Sequence, residues 1–134
     1  MNFINIILTA LLFFGVGAGW YTIFAKQWLT TRDINPDTFN PQDNKYWKEP
    51  WPYIATMVVL LILSAVVEYI VIATNTKGFI NGALLGFILW LGFSISTLIV
   101  HSSYEDKKIG YIVFNGAYFL IGIVLTAAIH ATNR

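Results

Sequence analysis

Charged residues divide the chain into four long apolar segments. Residues 1–25, 78–104 and 109–133 contain no Asp, Glu, Lys or Arg, and residues 50–76 contain only Glu68. The hydrocarbon core of a bilayer is about 30 Å thick, which a helix of about 20 apolar residues spans. The pattern therefore predicts four membrane-spanning helices, at about residues 3–24, 53–74, 79–100 and 109–130.

These segments favour an all-α, integral membrane bundle of four helices that run up and down. Backbone groups that face lipid need hydrogen bonds within their own segment, and a β-barrel needs alternating polarity, which the run Met57–Leu63 lacks. The short links after the second and third helices predict antiparallel neighbours in one domain, residues 1–134. The first segment lacks a basic start and is longer than the apolar core of a signal peptide, so we expect a retained helix.

Lysine and arginine predict the orientation. Six lie in the first and third loops, and two lie at the opposite end of the helices. Loops rich in Lys and Arg stay in the cytoplasm, so both termini are predicted outside it, in a multi-pass protein of a bacterial cytoplasmic (inner) membrane. In the cytoplasmic loop, residues 26–50, Asn40-Pro41 and the acidic residue that follows predict the start of a short interfacial helix through Trp47.

Composition narrows the classes of function. Charged residues make up 11% of the chain, against ~25% in a typical soluble domain, and 57% of the residues are hydrophobic. The absence of cysteine excludes disulfides, thiolate metal sites and a cysteine nucleophile. A net charge of +1 gives no electrostatic footprint for nucleic acid, so the predicted partner is the lipid bilayer. His101 and His130 fall at opposite interfaces and cannot share a metal or a haem, and we expect no metal and no cofactor.

Glu68 is the one charged residue inside a predicted span. A charge at the middle of a membrane costs at least about 2.5–3 kcal/mol. At a rise of 1.5 Å per residue, Glu68 lies about 7 Å from the bilayer centre on the outer half. Three interpretations of Glu68 remain open. It is a protonated side chain that bonds to a neighbouring helix, it belongs to a proton or solute site, or its side chain extends to the outer interface. The candidates for an outer polar site are Glu68, Thr9, Thr126, Asn81 and His130.

A second polar set lies on the inner half of the third and fourth helices. Its members in the third helix follow one another at helical spacing and therefore share a face. Hydrogen bonding between helices is one interpretation of this face, and the polar lining of a narrow cavity is the other. The residues are Trp90, Ser94, Thr97 and His101, with Asn115 of the last helix at about the depth of Ser94.

Small residues mark where helices approach each other closely in a membrane. Contacts within one bundle and contacts between protomers both remain open as interpretations of these positions. The candidate packing residues are Gly15 and Gly19 in the first helix, Gly78, Gly82 and Gly86 in the third, and Gly122 in the fourth.

Two stretches resemble a family of small bacterial membrane proteins known as domain of unknown function 1761. The first is Gly19-Trp20-Tyr21 with Phe24-Ala25-Lys26-Gln27-Trp28, and the second is Trp90-Leu91-Gly92-Phe93 with Glu105 and Asn115-Gly116. The resemblance covers nearly the whole chain. In the family, Trp-Tyr is followed by Ser-Pro, where this chain has Thr22-Ile23. The resemblance implies four transmembrane helices and no established activity.

The sequence predicts a structural or accessory membrane subunit, without enzymatic activity, that acts through helix contacts in a homo-oligomer or with other membrane protein subunits. The alternative is a small-solute or proton-linked transporter or conduit that uses Glu68 and the polar helix faces. A membrane enzyme is the third class. It would draw its acid and base from His101, Glu105 and Asp106, where titratable groups crowd at the interface.

Overall fold

A computed structural model describes residues 2–38 and 50–134. Within them the chain forms helices joined by turns and no strand, and four apolar helices are long enough to cross a membrane. The predicted all-α membrane bundle is confirmed. The predicted helix through Trp47 lies outside the described residues. The elements are α1 (Phe3–Ile23), α2 (Ala25–Thr31), α3 (Trp51–Ala73), α4 (Phe79–Leu89), a π-helical segment (Trp90–Ile95), α5 (Ser96–Tyr104) and α6 (Ile109–Thr132).

The helix bounds differ from the sequence expectation by a few residues. Helix α3 begins at Trp51 instead of about residue 53, because Pro52 lies in the first turn, where its missing N–H breaks no helical bond. The third span, Phe79–Tyr104, consists of α4, the π segment and α5 and extends about one turn past residue 100. The short α2 follows α1 directly, with Phe24 between them.

Helix α6 is the centre of the bundle. It contacts every other helix, and together with α1 and α3 it forms a three-helix core. The third span packs chiefly against α6. In an apolar 18-residue stretch of each helix, 6% of the residues of the third span are buried, whereas 50% of those of α6 are buried. The expectation that consecutive helices are neighbours was therefore wrong for α3 and α4. Glycines on α4 allow it to approach the small residues of α6 more closely than any face of α3.

Glycines allow close approach at three of the six positions singled out in the sequence. A Cβ on Gly82 would lie 2.6 Å from the Ala127 carbonyl oxygen, and a Cβ on Gly86 would lie 2.8 Å from Cα of Val124. At Gly122 a Cβ would overlap the ring of Phe13. Gly15 and Gly19 have open space beside them, as has Gly78, whose positive φ of 89° turns the chain into α4. The close contacts therefore join α6 to α4 and α1.

The core has an aromatic part and an aliphatic part. The aromatic part surrounds Phe13, which meets Tyr118 edge to face at 5.2 Å and packs with Leu60 of α3. The aliphatic part lies nearer the end where α1 begins and α3 and α6 end, which we call the terminal end. It contains Val67 and Val71 of α3 and Ala127 and Ala131 of α6. The terminal end is thus filled by small side chains, which leave room for polar ones.

Aromatic stacking fixes the opposite, loop end of the bundle. Trp28 of α2 stacks on Tyr111 and Phe114 of α6, with ring centroids 5.6 Å apart in both pairs. An ion pair between Lys108 and Asp33 joins the same two chain segments. The contacts hold α2 against the start of α6, as aromatic residues near an interface commonly do.

Candidate intramembrane polar site

Three helices bring four polar side chains together near the terminal end. Thr9 comes from α1, Ser64 and Glu68 come from α3, and His130 comes from α6. All four residues are at most 5% exposed. Buried polar groups in a membrane need partners, and here each group contacts at least one of the other three.

Helical spacing explains why these residues face each other. Ser64 and Glu68 are four residues apart, so they lie on one face of α3, between the buried Leu60 and Val71. Thr9 lies on the buried face of α1. His130 follows the small residues of α6 that face the core. The three faces meet because the apolar residues around them form the core.

The four side chains form one connected network. Nδ1 of His130 pairs with Oε2 of Glu68. Nε2 of His130 lies 3.1 Å from the Ser64 hydroxyl and 3.2 Å from the Thr9 hydroxyl. The two hydroxyl oxygens are 2.6 Å apart, and the Thr9 hydroxyl donates to the Asn5 carbonyl at 2.7 Å. Imidazole and hydroxyl groups both donate and accept hydrogen bonds, so the network has more than one atom that can carry a proton.

The network opens to the terminal end and is closed below. Oε1 of Glu68 accepts a hydrogen bond from the Asn2 backbone N–H at 3.3 Å. Glu68 also lines an open cavity of about 620 Å³. Glu68 lies five residues before the end of α3 and Ser64 nine, or about 7 and about 13 Å below it. Leu60 and Phe13 fill the core below Ser64. The polar path thus begins at the terminal end and stops near the middle of the bundle.

The structure brings Glu68, Thr9 and His130 together but not the other two outer candidates. The hydroxyl of Thr126 is buried and donates to the Gly122 carbonyl in its own helix at 2.7 Å. The side-chain amide of Asn81 is exposed and donates to the Lys77 carbonyl at 3.0 Å. Both side chains therefore bond to the backbone of the preceding turn instead of joining the network.

The inner set does not line a common cavity. Asn115 is buried and accepts a 2.6 Å hydrogen bond from the Tyr21 hydroxyl, while Thr97 and His101 are exposed. Trp90 donates from Nε1 to the Gly116 carbonyl at 2.9 Å, and Ser94 is half-buried. The π segment adds a residue to its turn, which rotates the face that regular spacing would have kept aligned.

Sequence reasoning missed Ser64, which completes the network. Its signal was present, because a polar residue four positions before Glu68 shares its face. Asn2 and Arg134, which line the cavity above Glu68, were missed as well. In the described part of the chain no group of three His, Asp or Glu side chains is close enough to hold a metal ion.

The chain belongs to the family described as Protein of unknown function (DUF1761), which matches residues 4–131. No curated protein and no solved structure matches the chain. The family agrees with the resemblance found in the sequence and extends over all four spans. The family's description gives no function, so the support for a function comes from the geometry of the polar site.

Proposed function

We propose that this protein is a proton-linked carrier of a small solute in the bacterial cytoplasmic membrane. The observation that carries the proposal is the buried pair of Glu68 and His130, which is joined to two hydroxyls and reached from the terminal end. The pair combines the two side-chain types that proton pumps and transporters use inside membranes.

The alternative of a purely structural pair is less favoured on energetic grounds. A buried ion pair seldom stabilises a protein more than apolar residues of the same volume. Helices that only need to associate in lipid can use small residues and neutral hydrogen bonds, which this chain already has at Gly82 and at Asn115. A histidine and a carboxylate add nothing to that purpose except the ability to gain and lose a proton.

Protonation of His130 would change the contacts of three helices. The groups that face its ring are Thr9 from α1, and Ser64 and Glu68 from α3. Helix α4, which also packs on α6, contributes no titratable side chain. At Nε2, neutral imidazole accepts a hydrogen bond from one hydroxyl, whereas imidazolium donates a hydrogen bond there. The hydroxyls must then reorient, so the proton couples directly to the packing of α1, α3 and α6.

The closed lower half favours a carrier over an open pore. Leu60, Phe13 and Tyr118 pack together below the network, so no continuous polar path crosses the bundle in the described residues. A carrier exposes its site to one side at a time. The Lys and Arg distribution predicts that the terminal end faces away from the cytoplasm, so we propose that this conformation is the outward-facing state.

Nitrogen NMR of the two histidines tests the proton site. The protein is labelled with ¹⁵N-histidine in nanodiscs and titrated between about pH 5 and pH 8. We expect the His130 signals to change protonation state in this range and to be displaced in Glu68→Gln. Exposed His101 serves as an internal control, and Glu105→Gln as a matched control for carboxylate loss. A His130 ring that keeps one protonation state throughout contradicts the proposal.

Cysteine labelling tests the change of access. Because the chain has no cysteine, each single-cysteine variant carries one thiol. In vesicles, we expect Ile72→Cys at the cavity to react with a membrane-impermeant maleimide from the terminal side. We expect Leu60→Cys to react from the loop side, with a rate that depends on pH and loses that dependence in Glu68→Gln. Leu60→Cys that never reacts from the loop side, in a folded protein, contradicts alternating access.

A second candidate is the accessory or oligomer-forming subunit predicted from the sequence. The observation that favours it is the low burial of the third span, in which 6% of the residues of an apolar 18-residue stretch are buried within the chain. Native mass spectrometry of a mild-detergent extract distinguishes the two. A stoichiometric complex with another membrane protein, unaffected by Glu68→Gln, supports the accessory function. A single chain with no bound protein contradicts it.

A further inference from the structure

The cavity above Glu68 contains groups of both charges. Glu68 and Arg134 both line it, together with Asn2 and Asn133. The remaining wall is apolar and includes Ile72. With a volume of about 620 Å³, the cavity has room for a small organic ligand or for the headgroup of a lipid.

Among the described residues, Glu68 and Arg134 both keep unused hydrogen-bonding capacity. Oε1 of Glu68 accepts one long hydrogen bond, 3.3 Å from the Asn2 nitrogen, although each carboxylate oxygen can accept two. Arg134 donates one bond from Nη1, at 3.0 Å to the Val71 carbonyl, and a guanidinium has five N–H donors. The two side chains form no ion pair with each other within the described residues. An acceptor and a set of donors therefore remain available at once.

The backbone keeps the two charges apart. Val71, which anchors Arg134, lies three residues after Glu68 on α3, or about 4.5 Å further along the helix axis. The carboxylate thus lies deeper and the guanidinium about one helical turn above it. A ligand that satisfies both must carry a cationic donor at one end and an anionic acceptor a few ångströms away.

We propose that this cavity binds a small zwitterion through a primary ammonium group on Glu68 and an anionic group on Arg134. The proposal rests on the proposed function and names the substrate class of that carrier. The ammonium group would bind the same Glu68 carboxylate that pairs with His130. Binding of the ligand and protonation of His130 would therefore both change the charge around the two Glu68 oxygens. Amino acids and phosphoethanolamine headgroups of lipids share this chemistry, and the test below separates them.

The experiment measures ligand binding to the full chain in nanodiscs of phosphatidylcholine, whose quaternary ammonium has no N–H to donate. The readout is the change in the histidine NMR signals during titration. The probes are glycine and phosphoethanolamine as zwitterions, ethylamine as the cation alone, and acetate as the anion alone. We expect both zwitterions to bind at least about tenfold more tightly than either half, because each half loses a charge-assisted hydrogen bond.

Variants assign the two ends of the ligand. Arg134→Gln is expected to weaken zwitterion binding at least about tenfold and to leave ethylamine binding unchanged, while Arg134→Lys restores part of the loss. Lys77→Gln removes a cation at the same end that does not line the cavity, and it is the matched control. Zwitterions that bind no better than ethylamine, or that bind equally well to Arg134→Gln, overturn the proposal.

The source of the ligand is decided by changing the lipid. If nanodiscs that contain phosphatidylethanolamine produce the same signal changes and block glycine, the zwitterion is a lipid headgroup. If glycine binds equally well in both lipids, it is a soluble solute. The pH titration without any zwitterion tests the proposed function separately: a His130 that titrates, with no zwitterion bound, refutes this inference alone. A bound zwitterion with a His130 that does not titrate refutes the proton linkage alone.

Discussion

The contact between α4 and α6 predicts a strong penalty for a single methyl group. A Cβ on Gly82 would lie 2.6 Å from the Ala127 carbonyl oxygen and 2.7 Å from Cα of Ala128. Both neighbours are backbone atoms, which cannot rotate away as a side chain can. An ordinary contact begins at about 3.4 Å, so Gly82→Ala requires the two helices to separate by about 0.8 Å.

The size of the effect follows from comparing two glycines. Overpacking in a tight interface costs about 1–3 kcal/mol, whereas alanine is about 1 kcal/mol more favourable than glycine inside a helix. Gly15→Ala gains the second contribution without the first, because nothing lies within 4 Å of its Cβ position. The helix contribution cancels between the two variants. Gly82→Ala should therefore have a free energy of unfolding about 1–3 kcal/mol lower than that of Gly15→Ala.

The measurement is reversible unfolding in mixed micelles with increasing SDS, followed by tryptophan fluorescence and by near-ultraviolet circular dichroism. A Cβ on Gly86 would lie 2.8 Å from Cα of Val124. The free energy of unfolding of Gly86→Ala should therefore lie between those of the two variants or close to that of Gly82→Ala. If Gly82→Ala is as stable as Gly15→Ala, the close approach of α4 to α6 does not exist in the membrane protein, and the reasoning is refuted.

The same assay checks two further predictions. Glu68→Gln and His130→Phe should each lower the free energy of unfolding by up to about 3–5 kcal/mol, because each change leaves a buried group without its partner. The double variant should lose less than the sum of the two single losses, and additive losses would show that the pair is not coupled. Tyr21→Phe removes the 2.6 Å bond to Asn115 and should cost about 0.6–1.7 kcal/mol. Tyr69→Phe, which changes an exposed side chain, should cost nothing, and equal values for the two tyrosines would contradict the prediction.

The four spans follow from the sequence because the lengths of charge-free runs and the thickness of a bilayer are nearly independent of packing. The packing partners of each helix cannot be predicted from the sequence in the same way. Gly82 and Gly86 show that a helix can approach that face, but the residues on the other side are equally apolar on α3 and α6. Which of these helices α4 packs against depends on which surface fits closely against its glycines. The small Ala127 and Ala131 give α6 that surface.

For the polar site, the sequence predicts the depth of each side chain in the membrane but not the direction in which each helix turns it. The helical rise places Glu68 and Thr9 at similar depth, but the sequence leaves the rotation of each helix about its axis free until the core is packed. Ser64 was within reach of the spacing argument, since it lies one turn before Glu68. The π segment carries no sequence signal in this chain, and it removed the regular register on which the face from Trp90 to His101 depended.

One turn of α6 carries both the polar site and the close contact with Gly82, which links the third span to the three-helix core. Ala127, Ala128 and Ala131 lie against Gly82, and His130 lies between them in sequence on a face that meets α1 and α3. The backbone N–H of Gly78 also donates to the Ala131 carbonyl at 3.1 Å, which ties the start of α4 to this turn. Any displacement of α6 that follows a change of charge on His130 must therefore move α4 with it or open the contact at Gly82. Because the third span has little other contact with the core, moving it as a unit breaks few interactions. The third span is thus the part of the bundle that the proposed protonation of His130 would move most easily.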